Sequence, residues 1–232
     1  MKTAAILKID SLNYSYGNTQ VLKNLSMDIP SDQMIGLLGA NSSGKTTLMR
    51  ICAGLIRNYK GTVKTSVSEK ACNLNEIVCY LPSNPFYEDS RTISKTLNEY
   101  AGFFPGYRKA QAEELLKKFS LDKSLRFSQL SKGRKALVMF ILYLSRNAAL
   151  YLLDEPFNGV DIKTREDMKK VLLETVSPGH TFMISTHEIS DMESLFDRIL
   201  LLQDGRILLD EDADELRTRN NRSLTDIVME VI

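Results

Sequence analysis

The sequence predicts an α/β fold in which a mostly parallel core sheet is flanked by helices. Short apolar segments, typical of buried strands, alternate with segments whose apolar residues recur every three or four positions. A glycine-rich loop also separates the apolar segment Met34–Leu38 from a predicted helix, Lys45–Leu55. The chain has 232 residues, of which 43% are hydrophobic. This size and composition are sufficient for one large core.

The N-terminal part predicts an antiparallel β subdomain. Residues 6–12 and 21–29 alternate apolar and polar side chains, as half-buried strands do, and a turn at Gly17-Asn18 separates them. Short strands are predicted at 62–67 and 77–81.

The middle of the chain predicts helices. Segments 92–103, 108–119 and 131–146 carry apolar residues at helical spacing. We therefore expect residues 1–232 to form a single domain with a helical subdomain inserted at about 84–146.

Strand and helix alternate again after this insertion. The predicted elements are strand Leu150–Leu153, helix Asp161–Val176, strand Thr181–Thr186, helix Ile189–Phe196, and strands Ile199–Leu202 and Arg206–Leu209. A short tail at about 211–232 has helical spacing, and we expect it to pack on the core or on a second copy.

The loop after the first core strand predicts a nucleotide-binding site. Its sequence fits G-x-x-x-x-G-K-[ST] and lies between a strand and a helix, as a phosphate-binding loop does. Glycines allow successive N–H groups to turn toward phosphate oxygens, and the helix start favours an anion. Lys45 is suited to the β- and γ-phosphates, and the Thr46 hydroxyl to Mg²⁺. The predicted ATP-binding residues of this loop are Gly39, Asn41, Ser42, Ser43, Gly44, Lys45, Thr46 and Thr47.

Two later strands end in side chains suited to phosphate chemistry. Asp154 and Glu155 follow one apolar strand, and His187 follows another. Ligands of parallel sheets bind beyond the carboxyl ends of the strands, so these groups should approach the triphosphate. Asp154 suits Mg²⁺, Glu155 suits a catalytic base for the attacking water, and His187 suits a γ-phosphate contact.

Composition argues against several other classes. The 30 basic and 29 acidic side chains leave a formal net charge of +1 without like-charge blocks, so no nucleic-acid partner is expected. Cys52, Cys72 and Cys79 lack C-x-x-C spacing, which predicts reduced thiols in a cytoplasmic setting. The start of the chain lacks the apolar core of a secretory signal, and its longest apolar run, 136–144, is too short to cross a bilayer.

The ordered motifs resemble those of ATP-binding cassette (ABC) nucleotide-binding subunits over about residues 6 to 210. They are the phosphate loop, Leu130-Ser131-Lys132-Gly133-Arg134, Leu152-Leu153-Asp154-Glu155-Pro156, Asn158-Gly159-Val160-Asp161 and His187. The resemblance implies the P-loop NTPase fold of this family, ATP and Mg²⁺ as ligands, and a dimer that encloses ATP between two cassettes.

The resemblance also implies roles for individual residues. Tyr16 corresponds to the aromatic residue that stacks on adenine, and Asp161 to the loop that links the two sites of a dimer. Ser131 and Gly133 belong to the signature segment, which faces the nucleotide of the partner cassette. Ser131 is in addition a good helix N-cap, and the start of a helix attracts phosphate.

Three positions depart from the family pattern. The usual signature is L-S-G-G-Q, but Lys132 and Arg134 replace its third and fifth residues. Ser83 stands where the family has a glutamine that touches Mg²⁺ and water. A serine is too short to reach as far except through a water, and Ser83 is the third predicted residue of the metal site, beside Thr46 and Asp154. Ser42 stands where the family often has glycine. Because Lys45, Glu155 and His187 are present, we expect these changes to tune hydrolysis rather than abolish it.

The functional prediction is the ATP-hydrolysing subunit of an ABC transporter. Its expected partners are a second cassette, identical or different, and a separately encoded permease that holds it at the inner face of the membrane. We expect the permease to dock near Ser83–Arg91, with Phe86 and Tyr87 as contacts or packing residues. Two alternatives stay open: a cytosolic single-cassette ATPase for assembly, and a degenerate regulatory cassette that hydrolyses ATP weakly.

Overall fold

The computed structural model describes residues 5–65, 74–187, 189, 192–220 and 222–231. Grouped by contacts, the chain divides into two compact units. The first unit comprises residues 1–80, 149–155 and 179–232, and the second comprises 81–148 and 156–178. The predicted insertion at 84–146 lies within the second unit, and the single-domain description stays a prediction.

The described strands form two sheets. Their bounds are β1 Ala5–Tyr16, β2 Thr19–Pro30, β3 Met34–Leu38, β4 Lys60–Thr65, β5 Val78–Leu81, β6 Leu150–Asp154, β7 Thr181–Thr186, β8 Arg198–Gln203 and β9 Arg206–Asp212. In this part of the chain, a three-stranded sheet has the order β2-β1-β4 and a six-stranded sheet the order β5-β6-β7-β3-β8-β9. Strand β1 is antiparallel to both of its neighbours, as predicted for the β subdomain.

The core of the larger sheet is parallel. Strand β3 pairs in parallel with β7 and β8, and β6 pairs in parallel with β7, whereas β8 and β9 form an antiparallel hairpin. All residues of β3, β6 and β7 are buried, which explains why apolar side chains predominate in these strands. The carboxyl ends of β3, β6 and β7 therefore lie along one edge of the sheet, and the predicted catalytic groups follow them.

The helices surround these sheets or form the second unit. Helices α1 Lys45–Cys52, α2 Leu74–Ile77, α7 Ala213–Asn220 and α8 Leu224–Val231 belong to the first unit. Helices α3 Ile93–Phe103, α4 Lys109–Lys118, α5 Lys132–Leu144 and α6 Ile162–Thr175 belong to the second. Among the described residues, no helix is both long enough and apolar enough to cross a membrane.

Helix starts follow the predicted capping residues. Ser131 is the N-cap of α5, and its hydroxyl accepts a hydrogen bond from the Arg134 N–H. Thr92 caps α3 in the same way through the Lys95 N–H. The tail is helical as its spacing predicted, and Leu224 and Val228 are buried within the chain.

The prediction of a helix over Ile189–Phe196 is wrong where the structure describes it. The observed element is a 3₁₀ turn at Glu193–Leu195, and Phe196 is extended; residues 190 and 191 lie outside the described residues. The next residue explains this, because the Asp197 N–H donates to the Met34 carbonyl and its carboxylate accepts from the Met34 N–H. These bonds hold the chain extended as it enters β8.

Two smaller differences concern residues 60–81. The helix α2 was not predicted, because four residues carry too little periodicity to be recognised. Residues 66 and 67 of the predicted strand 62–67, and Cys72, lie outside the described residues. Cys52 and Cys79 are buried free thiols, as expected for a reducing setting.

Candidate functional site

The phosphate loop adopts a conformation that depends on glycine. Gly39, Ser42 and Gly44 have φ angles of 147°, 71° and 112°, which L side chains rarely adopt. A Cβ atom on Gly39 would lie 2.2 Å from the Leu202 carbonyl oxygen and 2.8 Å from Ser43 Oγ. Only glycine therefore fits at position 39. Ser42 takes a conformation that glycine adopts without strain. This explains physically why the family often has glycine at this position.

Lys45 occupies the loop that it was predicted to serve. It is 5% exposed, and its ammonium group donates to the carbonyl oxygens of Gly39 (2.6 Å) and Ala40 (3.1 Å). Its Nζ also lies 3.4 Å from Glu155 Oε1. Carbonyl oxygens of the loop itself thus accept hydrogen bonds from the charged Lys45 ammonium group. Phosphate oxygens are chemically equivalent acceptors for this group.

Asp154 is buried at the end of β6 and accepts three hydrogen bonds. Thr46 Oγ1 (3.0 Å) and Ser185 Oγ (2.9 Å) donate to Oδ1, and the Tyr80 hydroxyl (3.0 Å) donates to Oδ2. Burial, followed by the nearby Asp154 charge, raises the pKa of Tyr80 to about 12, so the phenol keeps its proton. The structure therefore brings together Thr46 and Asp154, two of the three residues predicted for the Mg²⁺ site.

The chemistry of these donors fits Mg²⁺. Hard oxygen ligands suit this ion, which in nucleotide sites is commonly held by one or two protein oxygens together with phosphates and water. Over the described ranges, no cluster of three or more His, Cys, Asp or Glu side chains could hold a metal ion. A site of one carboxylate and one hydroxyl beside a phosphate loop is consistent with that finding.

Glu155 links the loop to His187. His187 Nδ1 lies 2.8 Å from Glu155 Oε2, where an Nδ1–H donates to the carboxylate. The Glu155 backbone has φ of 48°, and its N–H donates to Ser185 Oγ at 2.9 Å. Ser185 thus fixes both acidic residues, since its hydroxyl also donates to Asp154.

Two buried polar atoms at this site lack hydrogen-bond partners among the described residues. They are Ser43 Oγ and Glu155 Oε1. Glu155 Oε1 lies 3.4 Å from Lys45 Nζ, which is an ion pair without hydrogen-bond geometry. Buried polar atoms are normally paired, because leaving one unpaired costs about 1–3 kcal/mol. A polar ligand in the loop would supply the missing partners.

An open pocket of about 310 Å³ lies over the loop. Its lining includes the predicted residues Tyr16, Asn41, Ser42, Gly44, Lys45, Thr46, Thr47 and Glu155, together with Val21 and Ala40, which were not predicted. Tyr16 is 48% exposed, so part of its ring is free to stack on a base. The edge-to-face contact with Tyr14, with ring centroids 4.9 Å apart, holds this ring in place.

The second unit contains the predicted signature residues. Gly133 lies in the first turn of α5, and a Cβ atom there would lie 2.5 Å from Thr164 Oγ1 and 2.7 Å from Asp161 Oδ2. The close approach explains why glycine is needed at this position. Asp161 caps α6, and hydrogen bonds from the Thr164 N–H and hydroxyl hold the pKa of its carboxyl below the usual range.

Ser83 also belongs to the second unit, where it lines a groove of about 620 Å³. The neighbouring Phe86 is 86% exposed, whereas Tyr87 stacks on Phe127 at a centroid distance of 5.1 Å. Lys132 and Lys135 contribute to another part of the groove lining. Of the two aromatic residues predicted near a docking site, Tyr87 therefore packs within the unit and Phe86 is accessible.

Two residues of the site were missed by the sequence analysis. Ser185 is the parallel partner of Asp154 in the β6–β7 register, so pairing the two strands in the sequence would have found it. Tyr80 lies in the predicted strand 77–81, whose pattern does not indicate a contact with Asp154. A tyrosine in a short apolar strand gives no sign of the side that its hydroxyl faces.

Comparison with known proteins agrees with this geometry. The model of the ABC transporter family matches residues 22–158. The ABC transporter ATP-binding protein YtrB of Bacillus subtilis is 31% identical over 91% of this chain and 74% of its own length. EcsA, an ABC-type transporter ATP-binding protein of the same organism, is 28% identical over 98% of this chain and 96% of its own length.

A solved structure of an ATP-binding subunit of an ABC transporter has the same fold. It superimposes with a TM-score of 0.84 at 24% identity, covering 97% of this chain and 98% of that one. The predicted α/β class, with its antiparallel β subdomain and helical region, is thereby confirmed. With the phosphate loop and the acidic strand end in one unit, these matches show that the chain belongs to the ABC transporter family, as an ATP-binding subunit whose ATPase activity is coupled to transport.

Proposed function

We propose that this subunit binds ATP with Mg²⁺ in the phosphate loop and hydrolyses it with Glu155 as the base. The observation that carries the proposal is the contact chain Lys45–Glu155–His187 beside two unpaired buried polar atoms. A triphosphate would accept hydrogen bonds from the Lys45 ammonium and the Ser43 hydroxyl, and the attacking water would donate to Glu155 Oε1.

Each group has a defined task in the reaction. The N–H groups at the start of α1 and the Lys45 ammonium bind the β- and γ-phosphates, and Lys45 exchanges the Gly39 and Ala40 carbonyls for phosphate oxygens. Thr46 and Asp154 would hold Mg²⁺, which neutralises the developing phosphate charge.

Hydrolysis then depends on Glu155 and His187. Glu155 accepts a proton from the attacking water, or orients that water, and general-base catalysis of this kind contributes about 10²- to 10⁴-fold. With a hydrogen on both ring nitrogens, His187 holds the Glu155 carboxylate through Nδ1–H and donates Nε2–H to the γ-phosphate. Tyr16 supports the base of the nucleotide.

We further propose that ATP closes a dimer of two cassettes. Ser131 and Gly133 at the start of α5 would bind the nucleotide of the partner cassette, and hydrolysis would release it. The N-cap geometry of Ser131 and the tight packing at Gly133 support this role. A separately encoded permease would dock on Ser83–Arg91 and hold the subunit at the inner face of the membrane, and the exposed Phe86 ring supports that surface.

The test is Glu155→Gln, examined by light scattering with and without ATP and Mg²⁺. We expect the ATPase rate to fall about 10²- to 10⁴-fold, and the mass to double with ATP because the closed dimer no longer turns over. Glu166→Gln is the matched control. It makes the same substitution at an exposed glutamate of α6, which pairs with Lys169, and it should keep the wild-type ATPase rate and mass.

The outcomes separate the parts of the proposal. Unchanged hydrolysis in Glu155→Gln would contradict the role of the base. ATP binding without a change in mass would contradict an identical dimer, and would favour an unlike cassette or closure that needs the permease. A wild type that binds ATP but does not hydrolyse it would instead identify the degenerate regulatory cassette.

A further inference from the structure

Tyr80 makes a contact with Asp154 that differs from the other two. Thr46 and Ser185 both donate to Oδ1, whereas the Tyr80 hydroxyl donates to Oδ2. A carboxylate held through one oxygen can still rotate about its bond to the chain. Tyr80 supplies the second point of attachment and so fixes the plane of the carboxylate.

An ionised carboxylate only accepts hydrogen bonds, so the Tyr80 hydroxyl directs its proton to Asp154 Oδ2, and Arg50 favours the same direction. This guanidinium, on the helix that begins at the phosphate loop, interacts with the Tyr80 hydroxyl and also with Tyr16. Arginine has donors only, so it occupies a lone pair of the phenol oxygen and leaves the phenol proton for Asp154. The sequence of contacts is therefore Arg50 to Tyr80 to Asp154.

The order of the strands places the Tyr80 side chain beside Asp154. Tyr80 lies on β5, which neighbours β6 in the sheet, and Asp154 is the last residue of β6. The Tyr80 hydroxyl thus reaches the carboxylate from a neighbouring strand, and a rigid element carries each partner. A hydrogen bond between two rigid elements orients a group more firmly than one from a loop.

We infer that Tyr80 is a positioning residue for the ATPase reaction, which acts by fixing the plane of the Asp154 carboxylate toward the metal. This rests on the proposed Mg²⁺ role of Asp154. Arg50 supports the same function by orienting the Tyr80 hydroxyl. Neither residue touches the reacting atoms.

The test is Tyr80→Phe, which removes one hydroxyl and keeps the ring. Mn²⁺ binding in the presence of a non-hydrolysable ATP analogue is followed by electron paramagnetic resonance, and the Mg²⁺ dependence of ATPase activity is measured in parallel. We expect the half-saturating metal concentration to rise about tenfold, the order expected when a hydrogen bond to a charged group is lost. Activity at saturating Mg²⁺ and ATP affinity without metal should stay within about threefold.

Tyr59→Phe is the matched control. Tyr59 is a half-buried tyrosine of the first unit. Its hydroxyl is not among the donors that the structure describes for the Asp154 carboxylate, so removing that hydroxyl should leave metal binding unchanged. Arg50→Met is a second variant, at an exposed position outside the core. We expect it to raise the half-saturating metal concentration by only about threefold, because the phenol proton is then less well directed.

The results distinguish this inference from the proposal on which it rests. Asp154→Asn should abolish tight Mn²⁺ binding; if it does not, the metal role of Asp154 is wrong. If Asp154→Asn loses the metal while Tyr80→Phe and Arg50→Met both bind it like the wild type, Tyr80 has no positioning role. A Tyr80→Phe protein that fails to fold leaves Arg50→Met to decide by the same measurement.

Discussion

Single residues at this site do more than one task. Ser185 donates to Asp154 and accepts from the Glu155 N–H, so one hydroxyl orients the metal carboxylate and the backbone of the proposed base. The sequence predicted Lys45, Thr46, Asp154 and Glu155, because their spacing from apolar strands indicates the same sheet edge. Ser185 and Tyr80 could not be predicted in that way, since their roles depend on strand register and on the side that each hydroxyl faces.

Ser42 gives a test at this scale. Its φ of 71° costs a non-glycine residue roughly 1–2 kcal/mol, of which the greater freedom of unfolded glycine offsets about 0.5–1 kcal/mol. We therefore expect Ser42→Gly to raise the free energy of unfolding by about 0.5–1 kcal/mol. Ser42→Val should lower it by at least about 1 kcal/mol, because a β-branched side chain is strained in this region.

Urea denaturation of both variants measures these changes. A Ser42→Gly protein less stable than the wild type would show that the serine side chain stabilises the loop by more than the backbone strain costs. The Val variant serves as the control, since it makes the backbone conformation less favourable.

Elements are positioned by their first and last residues as much as by their apolar faces. Thr181–Thr186 was predicted at its observed bounds, because the apolar residues Phe182–Ile184 flanked by small hydroxyl residues favour a strand buried on both faces. The segment before β8 was predicted wrongly as a helix, because local spacing does not report the Asp197–Met34 hydrogen bonds. Hydrogen bonds to a residue far away in the sequence determine the conformation of that segment, and such bonds cannot be recognised from a single sequence.

The Thr92 cap of α3 gives a test at the scale of one element. Its side chain accepts from the Lys95 N–H at 3.2 Å, so Thr92→Ala leaves that donor without its cap. We expect a loss of about 1 kcal/mol in the free energy of unfolding. Thr92→Ser keeps the hydroxyl and should stay near the wild type in the same thermal or urea denaturation. Equal losses in both variants would mean that the threonine methyl group, rather than the cap, stabilises this helix start.

In the molecule as a whole, the core of the first unit encloses the two thiols that the structure describes, Cys52 and Cys79. Cys52 and Cys79 have no exposed surface, and burial raises the pKa of Cys52 to about 12. A buried neutral thiol is a poor nucleophile. Its reaction with a thiol reagent therefore requires the core to open, and the reaction rate reports on stability of the whole unit.

The expected result is slow labelling that ATP slows further. In a Cys72→Ser background at pH 8, the native protein should react far more slowly with an aromatic disulfide reagent than the urea-unfolded protein. ATP with Mg²⁺ at 100 times its dissociation constant stabilises the bound state by about 2.7 kcal/mol, so labelling through global unfolding should slow about 100-fold. Labelling that is fast, or that ATP does not change, would show that the thiols are reached by local opening instead.

The position of β3 at the centre of the larger sheet has a consequence for synthesis on the ribosome. Met34 pairs with Phe182, 148 residues later in the chain. At translation rates of 5–20 residues per second, the strand before the phosphate loop waits roughly 7 to 30 s for its neighbours to emerge. During that interval, five apolar residues lack a partner strand, so nascent chains should depend on chaperones most strongly before residue 182 appears. The contacts that assemble the ATP site are also those that make folding of this chain slow, because they join distant parts of the sequence.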